Sequence, residues 1–204
     1  EDVLKQRAEI ESVAKSASEQ IQATQAAAAA KAEEAALFEQ LAASKAALGK
    51  IQASIEAGQP FGEAFNELAS AAPVDVPAIL GQTAADGVQS LAALQAGFPA
   101  IARETLASAR ADGSDGATGG GIAAFFAKQT GARSVTPREG SDVDAVLSRV
   151  EAAVRAGNLA TALDEVGGLP DTDSAPVSDW RDAVQSRVDV DAAAKSLCST
   201  LNAM

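Results

Sequence analysis

Few side chains in this sequence could take part directly in catalysis. Its 204 residues include no histidine and one cysteine, Cys198. Without histidine, neither a Ser-His-Asp nor a Cys-His relay can form, and no imidazole can bind a metal ion. Cys198 lies between Leu197 and Leu201, a setting more typical of a small buried side chain than of a nucleophile. We therefore expect no enzymatic activity and no cofactor.

Two further groups of residues resemble binding sites only superficially. The glycine-rich stretch 113–121 lacks the preceding strand and the following Gly-Lys-Ser/Thr of a phosphate loop, so a flexible hinge is the better interpretation. The dense aspartates near the C-terminus lack the alternating spacing and closing glutamate of a calcium-binding loop, which favours a solvated acidic face and no metal site. These aspartates are Asp171, Asp173, Asp179, Asp182, Asp189 and Asp191.

The charge is unevenly distributed along the chain. There are 16 basic and 28 acidic residues, for a net charge of −12, which argues against nucleic-acid binding because phosphate contact needs a basic surface. The stretch from Ile122 to Arg138 is different, since it has no acidic residue and three basic ones. The longest charge-free run, around residues 87–102, is too short and polar to cross a bilayer, which needs about 20 apolar residues.

Two amphipathic stretches, Phe98–Arg110 and Ile122–Arg138, could bind a membrane surface. Both carry bulky apolar residues bordered by arginine or lysine. In an interfacial helix the apolar face enters the acyl boundary while cations meet anionic headgroups. The residues by themselves favour another arrangement, in which the apolar faces pack on neighbouring helices, because most amphipathic helices in soluble proteins face a core.

Helices must position these residues, because 50 of the 204 residues are alanine and 3% are aromatic. Methyl side chains suit close helix–helix contact and bury little area per residue. The composition therefore predicts an all-α protein with an extended helical rod and a small globular end. Residues 2–57 contain no proline and one glycine, Gly49, and predict one long helix.

Heptad rows in the long helix predict a coiled coil with an alanine-rich seam, whose register shifts near residues 26–34. The alternative is a monomeric helical spacer. We expect a homo-oligomer, either a dimer or a tetramer, with oligomerisation residues Ile10, Ile21, Leu41, Leu48 and Ile55. One row contains Val3, Ile10, Ala17 and Thr24, beside Ala14, Ile21, Ala28 and Ala35, and a later row contains Leu41, Leu48 and Ile55, beside Leu37, Ser44 and Ile51.

Three further regions follow the predicted coiled coil of residues 1–57. Glycines and prolines divide residues 61–111 into short helical hairpins, and residues 112–140 combine the hinge with the basic segment. Residues 141–204 form the predicted C-terminal helical domain. Ser141 and Asp144 have the spacing of a capping box, and Trp180 is the expected anchor of the core.

The C-terminal part of the chain resembles the mitofilin domain, most closely its alphaproteobacterial branch. The resemblance covers about 80 residues, from FFAKQTGARSVTPREG through SDWRDAVQSRVDVDAAAKSLCSTL. The clearest elements are Pro137–Gly140, Arg155–Leu159, Gly168–Pro170 and Trp180. The alanine-rich helix and the Gly97-Phe98-Pro99 stretch occupy the places that the family pattern assigns to a coiled coil and a following helix.

The resemblance implies a protein that shapes membranes, as mitofilin does at crista junctions and its bacterial relatives are thought to do at inner-membrane invaginations. It implies a transmembrane anchor upstream of Glu1, a location at the bacterial inner membrane facing the periplasm, and a lipid-binding segment before the terminal domain. Expected partners are anionic membrane lipids and the outer-membrane β-barrel assembly machinery. The lipid-binding residues would be Phe98, Ile101, Arg103, Leu106, Arg110, Ile122, Phe125, Phe126, Lys128 and Arg133.

An alternative function is a periplasmic coiled-coil scaffold that binds a protein partner. The Arg155–Leu159 turn also occurs in tetratricopeptide-like hairpins, although stable arrays usually need about three repeats. This alternative predicts a peptide groove around residues 142–170 and no binding to liposomes.

Overall fold

A computed structural model describes residues 1–111, 140–169 and 175–204. These residues are all-α, as the composition predicts. Within them the helices are α1 (Asp2–Ala57), α2 (Gly62–Ala71), α3 (Ala78–Thr83), α4 (Leu91–Ala111), α5 (Val143–Arg155), α6 (Leu159–Val166) and α7 (Ala175–Ala203).

Helix α1 has the bounds that the sequence predicts. Its 56 residues correspond to a length of about 84 Å at ~1.5 Å per residue. The helix ends at Gly58, whose φ of 71° places it in the left-handed region that glycine adopts without a Cβ penalty. The N–H of Gly58 donates to the Ile55 carbonyl, and the N–H of Gln59 donates to the Ser54 carbonyl at 2.8 Å.

The helices enclose two apolar cores. One core, here called the stem core, lies between the end of α1, α2, α3 and the second half of α7. The other, the head core, lies between α4, α5, α6 and the first half of α7. Fully buried side chains of the stem core include Ile51, Leu68, Leu80 and Leu201, and those of the head core include Leu94, Phe98, Val150 and Val184.

Helix α7 contributes to both cores. Trp180 and Val184 are buried in the head core, whereas Val190 and Leu201 are buried in the stem core. The division between the cores therefore does not coincide with the predicted domain boundary at residue 140. Residues 141–204 do not enclose a core by themselves, since α5 and α7 also pack on α4, and α7 packs on α1.

Arg187 lies on α7 where the two cores meet, and its side chain is buried. Its Nη1 donates to the Ile55 carbonyl at 2.7 Å and to the Gln89 carbonyl at 3.3 Å, while Nε pairs with the Asp191 carboxylate at 2.9 Å. The guanidinium thus satisfies a carbonyl in the last turn of α1 and one just before α4. A buried arginine that forms all of these bonds fixes the relative position of three chain segments.

Helix α4 begins at Leu91, earlier than the residue 98 that the sequence predicts, and includes Pro99. A proline inside a helix removes one backbone hydrogen bond and costs about 3 kcal/mol. Leu94, Phe98 and Ala102 form a continuous stripe that is at most 2% exposed. Burial of this stripe in the head core outweighs the cost of the proline.

The start of α5 also differs from the prediction. Asp142, rather than Ser141, is the N-cap, and its Oδ1 accepts a hydrogen bond of 3.0 Å from the N–H of Ala145. Serine and aspartate can both cap a helix, and the prediction of Ser141 was one residue too early. The cap at Asp142 lets Val143 be the first buried residue of α5.

Candidate functional site

The first part of α1 projects beyond the stem core. Every residue from Glu1 to Gln40 is exposed, and burial on α1 starts at Leu41. Large apolar side chains nevertheless occur in this part, with exposed fractions of 69% for Ile10, 58% for Ile21 and 65% for Phe38. A row of exposed, bulky apolar residues on a projecting helix is typical of a surface that binds another helix.

The five predicted oligomerisation residues lie in two different environments. Ile10 and Ile21 are exposed on the projecting part of α1. Leu41, Leu48 and Ile55 are at most 8% exposed, since they pack against α2 and α7 in the stem core. These three residues are therefore covered within one chain, and their heptad row did not show which helix would cover them.

Phe38 is an assembly candidate that the sequence reasoning missed. It follows Ile10 by four heptads, in the row that continues from Thr24 through Lys31. The signal was therefore present, but lysine interrupts the apolar row before Phe38. The exposed row and its neighbouring row form one strip, which we call the α1 seam. The α1 seam consists of Val3, Arg7, Ile10, Ala14, Ala17, Ile21, Thr24, Ala28, Lys31, Ala35 and Phe38.

The α1 seam lies on a different face from the residues that α1 places in the stem core. Leu37 precedes Leu41 by one turn and extends the stem-core face, whereas Phe38 is rotated from Leu37 by about 100°. Beyond Phe38 the rotated face carries Ala42 and Ala46, which are both exposed. The stem core consequently leaves the α1 seam open along its length.

Two of the predicted lipid-binding residues are buried inside the protein. Phe98 is 2% exposed and Leu106 is 4% exposed, and both belong to the head core. The Phe98 ring lies 4.8 Å from the Trp180 ring, and Trp180 Nε1 donates to the Leu94 carbonyl at 3.4 Å. In this fold neither residue is presented to a membrane, since the apolar face of α4 packs against α5 and α7. Trp180 is the buried anchor that the sequence predicts.

The other predicted residues of α4 lie at its surface. Ile101 is half-buried against the head core, while Arg103 and Arg110 are exposed. The Nε of Arg103 donates to the Pro99 carbonyl at 3.1 Å, a carbonyl on its own helix. The basic side chains of α4 therefore border a buried apolar face, which is the arrangement of an ordinary core-facing helix.

The remaining lipid-binding candidates are Ile122, Phe125, Phe126, Lys128 and Arg133, which lie outside the described residues. The points where the chain leaves and re-enters the head core are nevertheless defined. Gln95 Nε2 donates to the Val154 carbonyl at 3.0 Å, so the start of α4 lies beside the end of α5. The end of α4 and the start of α5 consequently lie toward the opposite side of the head core from α1.

The predicted peptide groove at residues 142–170 is filled by the protein itself. In the α5–α6 hairpin, Val146, Val150 and Ala162 point into the head core, where α4 and α7 cover them. Arg149 Nε joins the two helices through the Glu165 carboxylate at 2.7 Å. A shallow cavity of about 380 Å³ lies beside this hairpin, lined by Gly157, Asn158, Leu159, Ala160, Thr161, Val188, Asp191, Ala192 and Lys195.

Cys198 and the described aspartates considered above occupy positions typical of structural or surface residues. Cys198 is half-buried against the stem core, with Sγ 3.5 Å from the Asn202 amide nitrogen. Asp191 pairs with Arg187, and Asp182 is exposed. Asp171, Asp173 and the glycine-rich stretch lie outside the described residues. In the described part of the chain, no group of three or more metal-binding side chains is close enough to hold an ion.

Comparison with protein-family models, with curated proteins and with solved structures found no match to this chain. Among the described helices, none combines the length and apolarity needed to span a bilayer. The class of protein that the fold defines is thus an all-α bundle with a long projecting helix. Its most prominent surface is the α1 seam.

Proposed function

We propose that this protein is a non-enzymatic membrane-organising scaffold. The α1 seam brings copies together, and the basic segment Ile122–Arg138 attaches each copy to an anionic membrane surface. The observation that carries the proposal is the exposure of Ile10, Ile21 and Phe38, which lie in the two heptad rows of the α1 seam on a helix that projects from the bundle. A rod with an open apolar seam is suited to assembly.

The membrane part of the proposal rests on the sequence. Residues 122–138 hold three basic side chains and no acidic one in a chain of net charge −12. Each cation near an anionic lipid surface contributes about 1 kcal/mol, so one segment binds weakly. Several segments held in one assembly bind far more tightly, because the second and later contacts become intramolecular.

The resemblance to mitofilins supports the same function and also suggests a cellular location and a further partner. We propose the periplasmic side of the bacterial inner membrane as the location and the outer-membrane β-barrel assembly machinery as a further partner. Phe98 and Leu106 belong to the head core, so we restrict the proposed lipid-binding site to the segment Ile122–Arg138, which follows α4 in sequence.

Co-sedimentation with anionic and neutral liposomes tests the membrane function. We expect the protein to sediment with anionic vesicles, and the variant Phe125→Ser, Phe126→Ser, Lys128→Gln, Arg133→Gln to stay in the supernatant. A matched control, Lys5→Gln with Lys15→Gln, removes the same charge from exposed positions of α1 and should still sediment. Equal sedimentation of the segment variant and the unmodified protein would exclude the proposed lipid contact. The alternative function, a scaffold that binds a protein partner, would then be favoured.

A further inference from the structure

We infer that the α1 seam binds the α1 seam of a second copy in antiparallel orientation, with Ile21 of one helix facing Thr24 of the other. This inference rests on the proposed function, because it names the partner and the geometry of the assembly surface. It concerns contacts made in solution, before any membrane is bound.

The length and position of the α1 seam favour a helical partner. From Val3 to Phe38 the seam spans five heptads, more than the three to four that indicate a coiled coil. Its rows are exposed along this whole length, and the chain's own bundle packs on a different face of α1. A second helix can therefore follow the seam without displacing α2 or α7.

The sizes of the seam residues are complementary when a second copy runs in the opposite direction. If Ile21 faces Thr24 of the partner, Ile10 faces Ala35, and the same two contacts recur by symmetry at the other end. Phe38 then faces Arg7, whose guanidinium can stack on the ring. Four of the five layers thus pair residues of different size or shape, and the fifth pairs Ala17 with Ala28. Parallel helices would instead place each residue opposite itself, with Ile10 facing Ile10 and four layers of alanine facing alanine.

The charged residues in and beside the α1 seam also favour the antiparallel orientation. In parallel helices Arg7 would face Arg7 and Lys31 would face Lys31 inside the seam, and Glu34 would lie beside Glu39 at its flank. In the antiparallel pairing Arg7 lies within a turn of Glu34 and Glu39 of the partner. Like charges then face each other nowhere in the seam, and the pattern of one helix is complementary to itself. This self-complementarity identifies the occupant as a second copy of the chain.

Disulfide trapping tests the pairing in the full chain, with Cys198→Ser as the background. Two differently tagged chains carry either Ile10→Cys or Ala35→Cys, both at exposed positions. We expect a mixed disulfide after mild oxidation of the mixture, and little dimer from the Ile10→Cys chain alone. A control chain with Glu33→Cys, on the opposite face of α1, should not link to Ile10→Cys.

Light scattering of the unmodified protein without lipid provides the second measurement. The inference expects a mass of at least two chains, which falls to one chain in the double variant Ile10→Ser with Ile21→Ser. A single-chain mass of the unmodified protein, or an efficient Ile10→Cys homodisulfide, would overturn the inference. If the unmodified protein does not bind liposomes but the mixed disulfide still forms, only the membrane function is refuted. The two failures are therefore distinguishable.

Discussion

Arg187 on α7 donates a hydrogen bond of 2.7 Å to the carbonyl of Ile55 in the last turn of α1, across 132 positions in sequence. The arginine is 7% exposed, and it also contacts the Gln89 carbonyl and the Asp191 carboxylate. The stem core and the head core are therefore joined by a specific polar contact in addition to the continuity of α7. Sequence reasoning did not find this residue, although an arginine four positions before an aspartate on a helix was a usable signal.

Replacement of Arg187 tests this joint. Arg187→Ala leaves the Asp191 carboxylate and two carbonyls without their donor, so we expect a loss of about 3 kcal/mol in the free energy of unfolding. Urea unfolding followed by Trp180 fluorescence measures the loss. The control Arg181→Ala, whose side chain is 47% exposed, should change stability by less than about 0.5 kcal/mol. Equal stabilities of the two variants would contradict the role of Arg187.

Phe98→Ala distinguishes a core role from a membrane role for this residue. Removal of a buried ring that packs on Trp180 should cost about 3–5 kcal/mol and shift the Trp180 emission. Met204→Ala, at a position 56% exposed, is the control and should leave the unfolding curve nearly unchanged. A Phe98→Ala protein of normal stability that no longer bound liposomes would instead restore the membrane assignment.

Glycine replacements test the backbone geometry of the stem. Gly87 has a φ of 73°, and a Cβ there would lie 2.7 Å from the Gln59 carbonyl oxygen, so Gly87→Ala should cost at least about 1–3 kcal/mol. Gly49 lies inside α1, about two turns before its end, with open space around the position of a Cβ, so Gly49→Ala should stabilise by about 0.5–1 kcal/mol. Thermal unfolding of the two variants should therefore shift in opposite directions.

Truncation separates assembly from folding. Residues 1–36 contain no buried side chain, so their removal should leave the urea midpoint of the two cores unchanged at low protein concentration. The same truncation removes most of the α1 seam and should leave a single-chain mass in light scattering. Destabilisation by more than about 1 kcal/mol would show that the projecting helix also supports the bundle.

The sequence predicted the helices much better than their partners. Propensity and the absence of proline predicted α1 to the residue, and Trp180 was correctly expected in a core. Leu48 and Phe98 were assigned to intermolecular contacts although both are buried within the chain. The reason is the same in both cases. Amphipathic periodicity reports that one face of a helix is covered, and the covering surface comes from segments distant in sequence.

Local signals also failed where tertiary packing overrides them. The sequence predicted that the helix begins at residue 98, but α4 begins at Leu91, since the buried stripe through Leu94 and Phe98 is continuous. The boundary at residue 140 was drawn from the capping pattern at Ser141, whereas packing places α4 with α5 and α2 with α1. The sequence shows two apolar faces on α7, one with Trp180 and Val184 and the other with Val190 and Leu201, but the segments that cover each face are distant in sequence.

The course of α7 through both cores has a mechanical consequence. Ile55 lies beside Arg187, and Leu41 shares the stem core with Leu201, so α1 and the second half of α7 run side by side in opposite directions. A pull on the projecting end of α1 is therefore carried in shear along this shared interface and passes through α7 into the head core. Many side chains must slide together before the helices separate, so the arrangement resists tension better than contacts that open one at a time. The protein can thus transmit force along its length, from a partner bound to α1 to a partner bound to the head core.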